Sequence, residues 1–321
     1  MKIGFIGHGR HAQSNLYPSL KFLGIPIQAI ATTSKETAEQ AKSTQNSKAC
    51  YSNYKEMFDQ EHLDCVFVSV SGESHPQIVK DALNAGLHVF VEKPLSLTLK
   101  ESKEIHELSQ KTGNFVQVGY MKRHAVPYQK IQELLNRIGI ITSINATFGC
   151  RNFAKDASDY LLQGAIHTIN LVQSYAGDIL EMDTIMSEVG NNFTVLSIVK
   201  GSKNIPVSLT LIAADAWTKL NEELILTGTD GFIKYNNNSG LELHINNESK
   251  SLKPRWQEMD EITNLYTTVS TTGSGSFQDL YQKGFIPEIS NFLECVKYNR
   301  SPITDSLDNL KTMEWVEKLL K

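Results

Sequence analysis

The stretch Lys2-Ile3-Gly4-Phe5-Ile6-Gly7-His8-Gly9-Arg10-His11-Ala12 decides how this chain is read. A short apolar strand, Lys2 to Ile6, runs straight into a glycine turn, and Ala12 to Phe22 carries a helical pattern. Gly7-x-Gly9-x-x-Ala12 has the spacing of a dinucleotide-binding turn, and its place between strand and helix gives that spacing its weight. Gly7 makes the tight turn, Gly9 lets the backbone approach a pyrophosphate, and Ala12 allows close packing of helix on strand. The helix start presents unpaired N–H groups and a partial positive charge to phosphates. His8, Arg10 and His11 are carried with the turn, Arg10 as a source of a charge-assisted contact.

Working outward, residues 1–120 keep alternating between strand and helix patterns. Ile25 to Ala31 reads as a second strand, and Ser34 is placed to cap a helix running to Lys42. Leu63 to Val70 and His88 to Glu92 are nearly all apolar, as strands covered on both faces should be. Pro76 to Ala85 and Leu99 to Lys111 read as helices closed by Gly86 and Gly113, and Phe115 to Val118 follows as a strand. Strands and helices in strict alternation predict a doubly wound parallel sheet of Rossmann type.

After residue 120 the period changes. Ile144, Ala146 and Phe148 alternate with polar neighbours, as do Val207, Leu209, Leu211 and Leu241, Leu243, Ile245. Thr229 to Gly231 separates the strands Glu223–Thr227 and Phe232–Tyr235 as a hairpin turn. This pattern predicts an open, mostly antiparallel sheet interrupted by one helix, Tyr160 to Ala176. Thr263 to Phe277, rich in Thr, Ser and Gly, reads as a loop. Helices close the chain from about residue 283, with Phe285, Ile289 and Phe292 on an apolar face. The fold class is thus α/β plus α+β, with a dinucleotide domain at 1–120 and an α+β domain at 121–321.

The 321 residues are 40% hydrophobic and 21% charged, with a formal net charge of −4. That balance supplies no basic field for nucleic acid or an anionic membrane. The four cysteines form no CxxC pair, so neither a zinc site nor a disulfide framework is expected, and a reduced, cytoplasmic setting is. No signal peptide and no run of about 18 apolar residues is read from the sequence.

Where the second strand ends, Thr32, Thr33, Ser34 and Lys35 stand in place of the acid that takes the ribose hydroxyls of NAD. Hydroxyls and a lysine suit a 2′-phosphate, which favours NADP(H), with NAD(H) as the alternative. The same four residues also read simply as the start of a helix. Glu92-Lys93-Pro94 ends a buried strand at the carboxyl edge of the sheet, where ligands of open α/β folds bind. Pro94 fixes that turn and is compatible with a cis bond.

These features together resemble the glucose-fructose oxidoreductase / inositol dehydrogenase / rhizopine-catabolism (Gfo/Idh/MocA) family. The likeness rests on Gly4 to Ala12, on Ala85-Gly86-Leu87-His88-Val89-Phe90-Val91-Glu92-Lys93-Pro94-Leu95, and on Gln117-Val118-Gly119-Tyr120 with Arg123 and Pro127. The resemblance implies a nicotinamide-dependent oxidoreductase acting on a secondary alcohol of a sugar or cyclitol. It makes Lys93 the usual catalytic group and His167 the acid/base or hydroxyl orienter on the substrate side. It aligns Ser69, Ser71, Ser74 and His75 with the loop lining the cofactor, and Glu92 and Pro94 with the nicotinamide end. Tyr120, Lys122, Arg151 and Gln163 are candidate substrate contacts, beside Trp217 and Trp256. The resemblance also implies a homodimer or homotetramer built through the second sheet. One departure counts: Gln163 and Asn170 stand where the family often has aspartates. Gln163 can bond a hydroxyl but takes no proton. An imine or C=C reductase and a non-catalytic NADP(H) sensor stay open as alternatives.

Overall fold

The computed structural model describes residues 1–245, 263–267 and 277–321. Its first strands and helices are β1 (Ile3–Ile6), α1 (Tyr17–Phe22), β2 (Ile27–Ala31), α2 (Lys35–Gln45), β3 (Ala49–Tyr51), α3 (Tyr54–Gln60) and β4 (Cys65–Val68). There follow α4 (His75–Asn84), β5 (His88–Val91), α5 (Leu99–Thr112), β6 (Val116–Val118), α6 (Val126–Leu134), β7 (Ile141–Cys150), α7 (Ala157–Tyr160) and α8 (Ile166–Ala176). The strands β8 (Ile179–Val189), β9 (Asn192–Gly201), β10 (Pro206–Ala213), β11 (Asn221–Gly228), β12 (Gly231–Asn236), β13 (Gly240–Ile245) and β14 (Thr263–Tyr266) come next. The helices α9 (Phe277–Gln282), α10 (Phe285–Tyr298) and α11 (Ser306–Leu319) close the chain.

The chain divides into two compact units, Met1–Val126 with Ser274–Glu317, and Pro127–Gly273 with Lys318–Lys321. The first holds a six-stranded sheet in the order β3-β2-β1-β4-β5-β6, every pair parallel. Strands β1 and β4 are buried along their whole length, as the apolar runs predict for strands with helices on both faces. Ser34 caps α2 by accepting from the Thr37 N–H at 3.1 Å, and Gly113 ends α5 in the left-handed region at φ 74°. The core of this unit is aromatic: Phe67 stacks on Phe5 and Phe90 at 5.9 and 5.0 Å, and the Phe292 ring meets Phe67 edge-on at 5.2 Å.

That last contact corrects the expected assignment of the closing helices. Phe285, Ile289 and Phe292 of α10 join the core of the dinucleotide unit rather than the second one. An amphipathic face announces that it will be buried but does not name the sheet that buries it. Among the described residues of this unit, the three-residue β3 and the short helices α3 and α9 went unread, because none carries a long apolar run.

The second unit is an eight-stranded sheet in the order β14-β13-β12-β11-β7-β10-β9-β8. The hairpin β11–β12 falls where the Thr-Asp-Gly turn puts it. One pair, β7 with β10, is parallel, and the others are antiparallel. Helix α8 packs on β7 and β9. Part of the expected loop from Thr263 to Phe277 is strand instead: Thr263–Tyr266 pairs with β13, while residues 268–276 lie outside the described residues.

Candidate active site

At the carboxyl edge of the parallel sheet lies a cleft of about 1010 Å³. Its walls are the glycine turn from Gly7 to His11, the end of β2 from Ala31 to Thr33, the Ser52–Tyr54 segment, and Ser69 to Ser71 with Ser74. Gly7 adopts φ 108°, where a side chain is strained, and a Cβ there would collide with the Ser69 carbonyl oxygen. Its N–H donates to the Ala31 carbonyl at 2.9 Å, and Tyr17 Oη donates to the Gly7 carbonyl at 2.7 Å. Gly9 is the opposite case: a Cβ there would meet nothing within 4 Å, because that side of the turn faces open space. The turn is held from behind and clear in front, which fits a dinucleotide's phosphates.

Among the described residues no aspartate or glutamate lines this cleft, whereas His8, Arg10 and His11 do. Burial holds the His8 imidazole pKa below the ordinary value. Of the four residues proposed for the 2′ end, Thr32 and Thr33 are on the wall. Ser34 is spent on capping, and Lys35 is exposed in the first turn of α2. Thr32 Oγ1 donates to the Ser34 carbonyl at 2.9 Å. The helix-start reading of Ser34 is thus met, while Thr32 and Thr33 stand on the wall. Sequence reading missed Ser52, Asn53 and Tyr54, which follow β3. Their position past a strand's carboxyl end would have flagged them had β3 been recognised.

Glu92 and Lys93 follow β5 directly. Glu92 is buried, and its Oε1 lies 2.9 Å from His11 Nε2. Gly119 makes room for this carboxylate, since a Cβ there would approach Glu92 Oε2 to 3.1 Å. Lys93 is half-buried; burial pulls its pKa below the ordinary lysine value, and the charge of Glu92 opposes the shift. The Lys93–Pro94 bond is cis. His75, expected to line the cofactor loop, is buried off the cleft wall, and its Nδ1–H donates to the Pro94 carbonyl at 2.8 Å. It braces the turn that carries Lys93.

Two candidate substrate residues prove to be interior. Tyr120 is fully buried, and its hydroxyl donates to Asn309 Oδ1 at 2.7 Å; Lys122 is 5% exposed in the short turn Met121–His124. An aromatic or lysine just past a strand end can face a ligand or turn under it, and sequence does not separate the two. In the second unit Gln163 lies in a π-helical turn, Leu161–Ala165, and His167 one turn on in α8, both half-buried. Asn170 is fully buried, and Arg151 is exposed just past β7. Phe153, 59% exposed, rests against Gly164, where a Cβ would come within 2.8 Å of its ring. Trp217 covers Gly149 in the same way at 3.2 Å, while Trp256 lies outside the described residues.

Residues 1–120 match the model of an oxidoreductase family with an NAD-binding Rossmann fold. The inositol 2-dehydrogenase of Salmonella paratyphi B is 27% identical over 139 residues, 42% of this chain and 41% of that enzyme. The match thus spans about two fifths of that relative's length. Among solved structures, a dehydrogenase from Chromobacterium violaceum superposes over 100% of this chain and 94% of its own, with a TM-score of 0.86 and 20% identity. A levoglucosan dehydrogenase in complex with NADH and levoglucosan superposes with a TM-score of 0.83 and 16% identity, over 100% and 96% of the two chains. Those likenesses establish the fold of both units. Residues 1–120 are thus similar to the NAD-binding unit of the Gfo/Idh/MocA oxidoreductase family.

Proposed function

We propose that the protein is a dehydrogenase or reductase moving hydride between NADP(H) and a secondary alcohol or ketone of a sugar, cyclitol or sugar derivative. The observation that carries this reading is the Glu92-Lys93 turn, tied by His11 to the wall of a dinucleotide cleft. Bound nicotinamide supplies the hydride acceptor or donor. Gly7, Gly9 and the helix that follows hold the pyrophosphate, with Ser69, Ser71 and Ser74 along the same wall. Lys93 takes the hydroxyl proton on oxidation and returns it on reduction. A lysine of ordinary pKa, about 10.4, is a poor base at neutral pH, and the burial of Lys93 works in the required direction. His167, Gln163 and Arg151 are the candidates for the substrate's hydroxyls, with His167 able to exchange a proton and Gln163 not.

Two finer points belong to the same reading. The acid-free wall and the exposed Lys35 favour NADP(H) over NAD(H), since a carboxylate at Thr32 would repel a 2′-phosphate. The inositol dehydrogenase and levoglucosan dehydrogenase relatives support a polyol-like substrate. Turnover of a panel of polyols and ketoses with NADP(H) tests the reading against Lys93→Met. The variant should bind NADP(H) as the native protein does and turn over about a hundredfold or more slowly. Equal turnover by Lys93→Met removes Lys93 from the chemistry, and turnover of imines alone favours the reductase alternative.

A further inference from the structure

His11 sits inside the glycine-turn motif, yet its ring is fixed at both nitrogens. Nε2 lies 2.9 Å from Glu92 Oε1, and Nδ1 lies 3.1 Å from Asn15 Nδ2. An amide nitrogen only donates, so Nδ1 accepts from Asn15 and Nε2–H donates to Glu92. The neutral ring satisfies both partners, and protonation leaves two donors facing each other until the Asn15 amide turns over. The ring edge rests on Phe285 at 5.7 Å, and the side chain keeps 43% of its surface exposed on the cleft wall. Glu92 is 8% exposed and adjoins Lys93 in the chain.

We propose that His11 is a positioning residue for the reaction, setting the proton affinity of Lys93 through the Glu92 carboxylate. The inference rests on the reading of Lys93 as the proton-transfer group. A protonated His11 engages Glu92 as an ion pair and leaves less of its negative field to hold Lys93 as ammonium. Loss of the His11 side chain, and with it the Nε2–H bond to Glu92, returns that field to Lys93. The charged groups acting on His11 are Glu92 and Lys93, and the carboxyl of Glu288 acts on Glu92 from α10. The directions agree. Burial disfavours the imidazolium, but the hydrogen bond and charge of Glu92 outweigh it and raise the His11 pKa, while Lys93 opposes that rise. His11 and Lys93 therefore compete for one carboxylate, and each titration is felt by the other.

The test reads both titrations by NMR in the full chain, with and without saturating NADPH, using imidazole resonances for His11 and dimethylated lysine resonances for Lys93. In Glu92→Gln the His11 titration should fall below its native position. In His11→Ala the Lys93 titration should rise by about half a pH unit or more, with the acid limb of the kcat profile moving in parallel, and His11→Gln, which can keep the hydrogen bond to Glu92, should bring both back towards the native position. His11→Ala is the decisive variant, since it removes the hydrogen bond and the charge together. A Lys93 titration in His11→Ala equal to the native one overturns the proposal. A His11 titration indifferent to Glu92→Gln overturns it as well, and decides alone if the His11 variants fail to fold. Neither titration needs turnover, so failure of the dehydrogenase reading shows separately as an inactive protein with both couplings intact.

Discussion

Glu288 is fully buried in the first turn of α10, and among the described residues neither of its carboxyl oxygens has a hydrogen-bond partner. Burial, joined by the negative charge of Glu92, holds its pKa well above the usual carboxylate range. The carboxylic acid is thus the form the fold accommodates, and ionising it strands a charge in the interior. A raised folded-state pKa stabilises the protein below the unfolded value, about 4.3, and that contribution is lost as pH rises through the folded value. Glu288→Gln keeps the shape without the titration. By calorimetry its stability should hold on the alkaline side, where the native protein's declines; parallel declines would contradict this. The contrast with the glycine turn shows what a residue-level reading reaches. Gly7, Gly9 and Ala12 act through neighbours in the chain, so their tasks were legible. The partner of His11 lies 81 residues away, and no local pattern announces it. His75 and Tyr120 were placed on the right loops but not on the right side of them.

At the level of elements, the proposed choice of NADP(H) turns on the junction of β2 and α2. Thr32 and Thr33 stand on the cleft wall, and the helix that follows is capped by Ser34 whichever nucleotide binds. Thr32→Asp should weaken NADP(H) by tenfold or more, about 1.4 kcal/mol, and leave NAD(H) affinity equal or improved. Isothermal titration with both nucleotides checks this, and equal losses would place the 2′ end elsewhere. Elements of the first unit were legible because buried parallel strands are written as apolar runs and the helices carry their own caps. Strand β3 was not, being three half-buried residues, Ala49-Cys50-Tyr51. In the second unit alternation marked the strands but is blind to their direction, so the parallel pairing of β7 with β10 was invisible. The π turn at Leu161–Ala165 was likewise read as ordinary helix.

At the scale of the whole molecule, the change of period near residue 120 marked two architectures, but not the return of the closing helices to the first. The second sheet also leaves apolar side chains in the open. Ile185 opposite Leu196, with Ile198 two residues on, forms one face at 71%, 45% and 69% exposure. Such a stripe fits the homodimer or homotetramer through this sheet that the family resemblance implies. Sedimentation should show the native chain as a dimer or larger and Ile198→Glu shifted towards monomer; an unchanged native monomer would contradict it. The central claim is hydride transfer assisted by Lys93, and isotopic labelling addresses it directly. The protein is mixed with NADPH deuterated at nicotinamide C4 and a panel of ketoses and cyclic polyol ketones, and the alcohol products are analysed by mass spectrometry. The account predicts deuterium in the product alcohol with the native protein, and a rate lower by about two orders of magnitude or more with Lys93→Met. Deuterium retained on the cofactor with every ketone, or passed on equally fast by Lys93→Met, would contradict it.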